Sequence, residues 1–190
     1  MGEKKIVGLA LCGSYCSYDK VFAAAGVLAE KYELIPIMSG TAAATDSRFG
    51  AASENIKRLM QITGRHVVTT IAEAEPLGPR EPMEAMVIAP CTGNTLAKLA
   101  NGVTDTAVTM AAKAHLRNER PVIVAVSTND GLSASAESIG RLLNRKHYYF
   151  VPFGQDNAEA KPTSLIADFR KIMPTLEAAM EGRQIQPILL

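Results

Sequence analysis

Small hydroxyl and amide side chains follow a short apolar run near the middle of the chain. The run Met86–Ala89 is uninterrupted, as expected for a strand buried on both faces, and it ends at Pro90. The polar residues Thr92, Asn94 and Thr95 come directly after it. In open α/β sheets, ligands bind where the carboxyl end of a strand leads into the N-terminus of a helix. The segment therefore predicts a ligand-binding turn.

The helix predicted after this turn has Leu96 and Leu99 on its apolar face. Asn94 or Thr95 is placed to be its N-cap, and Gly102 to end it. A capping role competes with a ligand role for Asn94, because asparagine at a helix start is often only a cap.

Three other predicted strands end in loops of the same kind. The strands are Ile6–Cys12, Leu34–Met38 and Pro121–Val126, and the loops after them carry Gly13 and Ser14, Ser39 to Thr41, and Ser127 to Asn129. Because the carboxyl ends of parallel strands meet at one edge of a sheet, we expect these loops to lie together. They contain few charges, so a phosphate there would be held by backbone N–H groups, hydroxyls and helix N-termini. Gly13 is equally explained by the needs of a tight turn.

The remaining segments predict helices between the strands. Helices are expected at Ser17–Tyr32, Ala51–Ile62, Thr106–Arg117 with Asp105 as cap, Ser135–Leu143 and Ser164–Met180 with a kink at Pro174, and a last strand at Tyr148–Pro152. Residues 39–46 and the proline-rich residues 75–82 are predicted loops, and residues 67–71 are compatible with an extended segment. The sequence thus predicts an α/β fold with a three-layer, doubly wound parallel sheet in one domain, residues 1–190.

Composition narrows the classes of partner. Hydrophobic residues make up 47% of the chain and its formal charge is +1, which disfavours disorder and a nucleic-acid surface. Cys12, Cys16 and Cys91 are odd in number and lack zinc-site spacing, which disfavours a disulfide framework and a structural metal. No apolar stretch reaches membrane-spanning length. We therefore expect a cytoplasmic protein with reduced thiols.

The absence of two nucleotide-binding sequence motifs narrows the class of ligand expected. No Gly-x-Gly-x-x-Gly follows the first strand and no acidic residue ends the second, which disfavours a dinucleotide. The phosphate loop of nucleoside triphosphatases is also missing from the sequence. A mononucleotide such as FMN is the best physical fit to the hydroxyl-bearing loops.

Side chains for acid–base chemistry are few. His66 and His147 lie beside basic residues and are most simply solvated, whereas His115 ends a predicted helix, where a cation would complement the dipole. Cys91 has no histidine nearby and is interpreted as a packing thiol. Arg48 is expected either to bind a carboxylate of a ligand in bidentate fashion or to be exposed at the surface.

The central motif resembles that of a known family. Residues 90–95, followed by Lys98, residues 100–102 and Asp105, are similar to the Pro-Ala-Ser-Ala-Asn-Thr motif of flavin-dependent cysteine decarboxylases and flavin prenyltransferases. Within that superfamily the chain resembles the B subunits of dipicolinate synthases from spore-forming bacteria, over nearly its whole length. The most specific segments are Glu-Pro-Leu-Gly-Pro at 75–79, Phe-Gly-Gln-Asp at 153–156 and Gln-Pro-Ile-Leu at 186–189.

This resemblance implies a Rossmann-like, flavodoxin-like flavoprotein fold, bound FMN and a homo-oligomer. It implies that the chain acts with an NADP-binding A subunit to oxidise dihydrodipicolinate, a small dicarboxylate, in the mother cell during sporulation. Carried over by position, the residues around the FMN phosphate are Gly13, Ser14, Ser39 and Thr41, those that approach flavin or substrate are Thr92, Asn94 and Thr95, and Ser127 lies along the same edge. The candidate substrate ligands are Arg48 and Asn94, and no catalytic residue is assigned.

Two departures from the decarboxylases leave the chemistry open. The predicted helix Ser17–Tyr32 contains no histidine that could act as their active-site base, and residues 127–130 stand where they carry a Pro-Met-Asn motif. One alternative is a non-catalytic partner that keeps a flavoprotein fold and orients the A subunit. FMN-dependent decarboxylation is a further alternative, against which the missing histidine argues.

Overall fold

The structure is a computed structural model that describes residues 4–78, 80 and 83–190. Its strands are β1 Ile6–Leu11, β2 Glu33–Met38, β3 Ala85–Cys91, β4 Val122–Thr128, β5 Tyr148–Phe150, β6 Phe153–Asn157 and β7 Lys161–Ala167. Its α-helices are α1 Tyr18–Lys31, α2 Gly40–Ala44, α3 Ala52–Thr63, α4 Ile71–Ala74, α5 Gly93–Asn101, α6 Ala107–Leu116, α7 Ala136–Leu143 and α8 Ile172–Met180. Within these ranges, none of the helices has the length and apolar character needed to cross a membrane.

The strands form a mixed sheet whose central part is parallel. Its order is β2-β1-β3-β4, with β5 paired to the first half of β4, β7 paired to the end of β4, and β6 beyond β7. Because β1 lies between β2 and β3, the connections that leave these strands run in opposite directions across the sheet. Such a switch point leaves a crevice outside the carboxyl ends of adjacent strands. The predicted doubly wound α/β fold is confirmed, with an antiparallel hairpin added.

Burial on both faces explains the apolar central strands. Every residue of β3 is buried, and β1 and β4 each have only one residue that is not. α1 packs against α3 and α8, whereas α5 packs against α6 and α7, and both α6 and α8 contact β3. Helices therefore cover the sheet, and polar side chains of the central strands are confined to the strand ends.

The hairpin of β6 and β7 occupies chain that was predicted to be loop and helix. Ser127 and Thr128 at the end of β4 pair with Ile166 and Leu165 of β7 in antiparallel register. The hairpin therefore continues the sheet beyond the carboxyl end of β4, beside the crevice.

The last helix begins later than its predicted start at Ser164. Residues 161–167 form β7, and α8 begins at Ile172. The apolar run 165–167 is too short for its pattern to distinguish a strand from a helix, which is why the prediction was wrong. α8 continues through Pro174 without the predicted break, because proline in the first helical turn removes no intrahelical hydrogen bond.

Threonine hydroxyls cap two helices at positions other than those predicted. Thr92, rather than Asn94 or Thr95, is the N-cap of α5, and its hydroxyl accepts the backbone N–H of Thr95 at 3.4 Å. Thr106, rather than Asp105, caps α6. In both helices the cap lies one residue before the first helical residue, with its hydroxyl on the N–H three positions later, which is the preferred geometry of a capping threonine.

The predicted loop at residues 39–46 contains the short helix α2. Ser39 is its N-cap, and the Ser39 hydroxyl accepts the N–H of Ala42 at 3.2 Å. Small residues were interpreted as loop-forming, but the three alanines at 42–44 are strong helix formers. In residues 67–71, only Val68 bridges to a strand, and α4 begins at Ile71.

The predicted surface loop at residues 75–82 is partly buried where the structure describes it. Leu77 and Gly78 are buried, and a Cβ added to Gly78 would lie 2.2 Å from the carbonyl oxygen of Ala114 in α6. Pro79, Glu81 and Pro82 lie outside the described residues.

His115 is buried at the end of α6, where the sequence predicted a cation. None of its surface is exposed, and its Nε2 lies 3.0 Å from the carbonyl oxygen of Pro121. Its Nδ1 is buried without a hydrogen-bond partner in the described part of the chain. Burial lowers the pKa of His115 to about 4, so the ring is neutral at pH 7 and does not complement the helix dipole.

The free energy of unfolding should depend on pH through His115. The unfolded chain takes up a proton near pH 6.5, whereas the folded chain resists protonation until about pH 4. Acid therefore favours the unfolded state in this window, and we expect this group to remove about 3 kcal/mol of stability between pH 6.5 and pH 4. Denaturant unfolding of the wild type and of His115→Gln over this range measures the difference.

The matched control for this prediction is His147→Asn, because the His147 side chain forms no hydrogen bond or ion pair with the described residues and asparagine tolerates its left-handed backbone, φ 69°. That variant should keep the wild-type pH dependence, whereas His115→Gln should lose part of it. Parallel pH profiles for the wild type and His115→Gln would contradict the prediction.

Candidate functional site

A cleft of about 730 Å³ opens at the carboxyl edge of the sheet. Its walls are the loops after β1, β3 and β4, residues 48–49, and the hairpin of β6 and β7. This volume is typical of sites for small molecules and cofactors. The predicted site residues that line the cleft are Gly13, Ser14, Arg48, Thr92, Asn94 and Ser127. The structure therefore brings together three of the four strand-end loops that the sequence placed at one edge.

Three serine hydroxyls meet at one wall of the cleft. Ser127 Oγ lies 2.8 Å from Ser14 Oγ and 3.0 Å from Ser17 Oγ, which joins the end of β4 to the loop after β1. Ser17 was not predicted as a site residue, because nothing in its sequence position separates it from an ordinary helix start. A hydroxyl both donates and accepts, so this wall can present O–H donors to an anionic group.

The N-terminus of α5 opens onto the same cleft. Thr92, Gly93 and Asn94 line it, so the unpaired N–H groups and positive dipole end of a nine-residue helix face the space. Asn94 is exposed and forms no side-chain hydrogen bond with the described residues, which leaves its amide available to a ligand. This combination of hydroxyls, an amide and backbone N–H groups suits a phosphate or the polar edge of a heterocycle.

A carboxylate packs directly behind Gly93. Asp130 Oδ1 accepts hydrogen bonds from the hydroxyls of Thr128 and Ser135, at 2.5 Å and 2.8 Å. A Cβ added to Gly93 would lie 2.3 Å from Ser135 Oγ and 2.8 Å from both Asp130 Oδ1 and Thr128 Oγ1. Only glycine therefore allows α5 to begin this close to the loop after β4. The sequence did not single out Asp130 as a site residue, because it stands within a run of polar residues, 127–130, that reads as a loop.

Gly13 lines the cleft without a comparable steric requirement. A Cβ there would meet only the Tyr15 ring and hydroxyl, at 3.6 Å and beyond. The backbone at Gly13 does not require the left-handed region either. A tight turn therefore does not explain this glycine, which leaves its predicted role beside a phosphate as the open interpretation.

Thr95 and two of the cysteines lie beneath the cleft rather than in it. Thr95 Oγ1 donates to Cys12 Sγ at 3.2 Å, and both side chains are buried. Burial raises the pKa of the Cys12 thiol to about 11 and that of Cys91 well above its usual range. Both thiols are therefore buried and protonated at pH 7, and the burial of Cys91 agrees with its interpretation as a packing thiol. Cys16 differs, because it is exposed and lines the cleft.

Ser39 and Thr41 lie beside the cleft and do not line it. Ser39 is buried and its hydroxyl is used to cap α2. The carbonyl oxygen of Thr41 accepts a hydrogen bond from the Tyr15 hydroxyl at 3.1 Å, so Tyr15 links this loop to the loop after β1. The predicted contacts of both residues with a phosphate stay predictions.

Charged side chains at the cleft come mainly from residues that the sequence did not single out. They are Lys20 from α1, Arg48 from the segment before α3, Asp130 from the loop after β4, and Asp156 and Lys161 from the hairpin. Lys161 Nζ donates to Asp156 Oδ2 at 2.6 Å. The hairpin residues were missed because the strands themselves were missed.

Histidines and metal ligands are not part of the described cleft. No histidine occurs among its described lining residues. Within residues 4–78, 80 and 83–190, no group of three or more His, Cys, Asp or Glu side chains is placed to hold a metal ion. The described cleft therefore contains carboxylate, ammonium and thiol groups but no imidazole for acid–base chemistry.

Solved structures of similar shape place this cleft in a known family. The fold matches the crystal structure of the dipicolinate synthase B subunit from Bacillus halodurans C with a TM-score of 0.90, at 45% identity, over 100% of this chain and 98% of that one. It matches the FMN-dependent cysteine decarboxylase SpaF with a TM-score of 0.69, at 21% identity, over 93% of this chain and 97% of that one. The second likeness shows a shared fold.

Sequence similarity leads to the same group. The chain is 43% identical over 187 residues to the dipicolinate synthase B subunit of Bacillus subtilis (strain 168), which spans 98% of this chain and 94% of that protein. A sequence model of the flavoprotein family matches residues 1–161. The chain therefore belongs to the flavoprotein family and, within it, to the group of dipicolinate synthase B subunits.

Proposed function

We propose that this chain binds FMN and acts with an NADP-binding A subunit to oxidise dihydrodipicolinate to dipicolinate in the cytoplasm of a sporulating mother cell. The observation that carries the proposal is the hydroxyl-lined cleft at the switch point between β1 and β3, in a chain 43% identical to a dipicolinate synthase B subunit. A homo-oligomer is part of the proposal. It is supported by a dodecameric FMN-dependent decarboxylase from Escherichia coli O157:H7 among the proteins of similar fold.

The donor set assigns parts of the cleft to parts of the cofactor. The hydroxyls of Ser14 and Ser127 and the N-terminus of α5 would hold the phosphate, with Gly13 allowing close approach. The Asn94 amide would bind the flavin ring or a substrate carboxylate. Ser39 and Thr41 would act from beside the cleft and Thr95 from beneath it.

The proposed reaction needs little acid–base catalysis from the chain. Dihydrodipicolinate loses one hydride and one proton to become an aromatic pyridine dicarboxylate, and aromatisation supplies driving force. A bound flavin would supply the two-electron acceptor. The tasks left to these residues are to bind the dicarboxylate, to orient its ring and to exclude water.

A non-catalytic partner subunit is the second candidate function. It is favoured by one observation, that no histidine occurs among the described lining residues of the cleft. In that case the chain would orient the A subunit and the electrons would pass directly to NADP. Decarboxylation has weaker support, because the cysteine decarboxylases of similar fold are only 21% identical to the chain.

Two measurements on the purified chain test the proposal. Titration with FMN should perturb the visible spectrum of the flavin at a saturable stoichiometry. Formation of dipicolinate from dihydrodipicolinate should then require the chain, FMN and the A subunit together, with each component alone as a control. Activity that needs both subunits but is unchanged after FMN is removed would support the non-catalytic partner and contradict the flavin proposal.

Gly93→Ala should abolish or strongly weaken FMN binding. The added methyl group would overlap Ser135 Oγ and press on Asp130 and Thr128, so the first turn of α5 must move away from the loop after β4. We expect at least a tenfold weaker FMN affinity, about 1.4 kcal/mol or more, because donors that bind a phosphate depend on their position. FMN titration measures the loss.

Gly140→Ala is the matched control for this substitution. Gly140 lies within α7, an added Cβ there has open space, and alanine favours a helix by roughly 0.5–1 kcal/mol over glycine. This variant should bind FMN like the wild type and resist denaturant slightly better. Equal FMN affinity for Gly93→Ala and Gly140→Ala would remove α5 from the proposed site.

A further inference from the structure

Three basic side chains from separate parts of the chain reach the same cleft. Lys20 lies in the first turn of α1, Arg48 lies between α2 and α3, and Lys161 begins β7. Against them stand two carboxylates, of Asp130 and Asp156. Asp130 Oδ1 accepts hydrogen bonds from two hydroxyls, and Asp130 forms no ion pair with a cation that the structure describes. This side of the cleft therefore carries a surplus of positive charge.

Lys20 and Arg48 form no ion pair with any residue that the structure describes. The nearest acid to Lys20 in sequence, Asp19, is paired with Arg58 at 2.6 Å. A positive charge in the first turn of a helix is also unfavourable, because the dipole is positive there. Arg48 stacks on the Phe49 ring, 4.9 Å from its centroid, which orients the guanidinium without neutralising it.

Lys161 differs from the other two basic residues because it forms an ion pair with the carboxylate of Asp156. Its ammonium donates to Asp156 at 2.6 Å, and this hydrogen bond raises the pKa of Lys161. The charge of Arg48 acts on the same group in the opposite direction, so the two cations lie within electrostatic range of each other. Asp156 thus stands where an anionic group of a ligand would bind Lys161.

We propose that Lys20, Arg48 and Lys161 form the recognition site for the two carboxylates of the substrate, and that Asp156 competes with the substrate for Lys161. The inference rests on the proposed function for the identity of the dicarboxylate. It divides the cleft into a neutral hydroxyl side, for the cofactor phosphate, and a cationic side, for the substrate. A planar guanidinium and two ammonium groups match two carboxylates that a rigid ring holds apart.

Calorimetric titration with dipicolinate, and with the monocarboxylate picolinate, tests this division. Wild-type protein saturated with FMN should bind dipicolinate more tightly than picolinate, and added salt should weaken that preference. Lys20→Gln and Arg48→Gln should each lower the dipicolinate affinity about fivefold, with a smaller effect on picolinate. Asp156→Asn should raise the dipicolinate affinity about threefold, because it releases Lys161.

Lys113→Gln and Arg117→Gln are matched controls, since both residues are exposed on or just after α6 and do not line the cleft. Titration of every variant with FMN and with inorganic phosphate separates the two anions. If Lys20→Gln and Arg48→Gln lose FMN or phosphate affinity instead of dipicolinate affinity, the cations bind the cofactor and the inference is wrong. It is equally wrong if the cleft variants match the controls, or if Asp156→Asn weakens dipicolinate binding.

The outcome is separable from that of the proposed function. If the chain binds no FMN, dipicolinate titrations of the chain alone still report on the three cations. A charge-dependent preference for dipicolinate would then support the inference while the flavin proposal fails. FMN-dependent activity, together with unchanged dipicolinate affinity in all cleft variants, would support the flavin proposal and contradict the inference.

Discussion

The position of β1 between β2 and β3 is the constraint on which the rest of the structure depends. Helices cover the parallel sheet and exclude polar side chains from its interior, so the strand ends are the places where polar groups can gather. The connections that follow β1 and β3 leave the sheet in opposite directions. This leaves a crevice outside the carboxyl ends of these two strands. Ser14 and Thr92 are functional candidates because this topology places them in the cleft, whereas Thr106, which caps α6 as Thr92 caps α5, does not line it.

Close packing turns that crevice into an ordered site. Gly93 allows α5 to start against the Asp130 carboxylate and its two hydroxyl donors, and the Ser127 hydroxyl ties β4 to the loop after β1. These contacts fix the donor positions before a ligand arrives, so little conformational entropy is lost on binding. The same contacts explain how the hydroxyl side of the cleft can hold an anion, because the N–H and O–H dipoles there are already aligned.

The parts of the fold that followed from local pattern were predictable, and the parts that depend on distant partners were not. β3 and β4 were recognised because strands buried on both faces are continuously apolar. Thr92 was missed as a cap because several hydroxyl and amide residues stand together, and only backbone geometry decides which one caps. His115 was assigned a charge from its place in the helix, but its burial against the start of β4 reverses that assignment. Six candidate site residues line the cleft, because strand ends can be recognised from local pattern. The positions of Lys20, Lys161 and Asp156 depend on a hairpin and on side-chain reach that no local pattern reveals.

The hairpin of β6 and β7 carries charged groups that the shared fold does not determine. Proteins of similar fold and about one-fifth identity include FMN-dependent decarboxylases, so a shared sheet edge does not determine the reaction. The central loops supply neutral donors suited to a cofactor, and a cofactor can serve many reactions. The charges that could distinguish one small acid from another come instead from β6, β7, the first turn of α1 and the segment between α2 and α3, which border the same cleft. In the proposed function, the groups that would select the substrate and the groups that would bind the cofactor lie on different elements, so one set can change while the other stays in place.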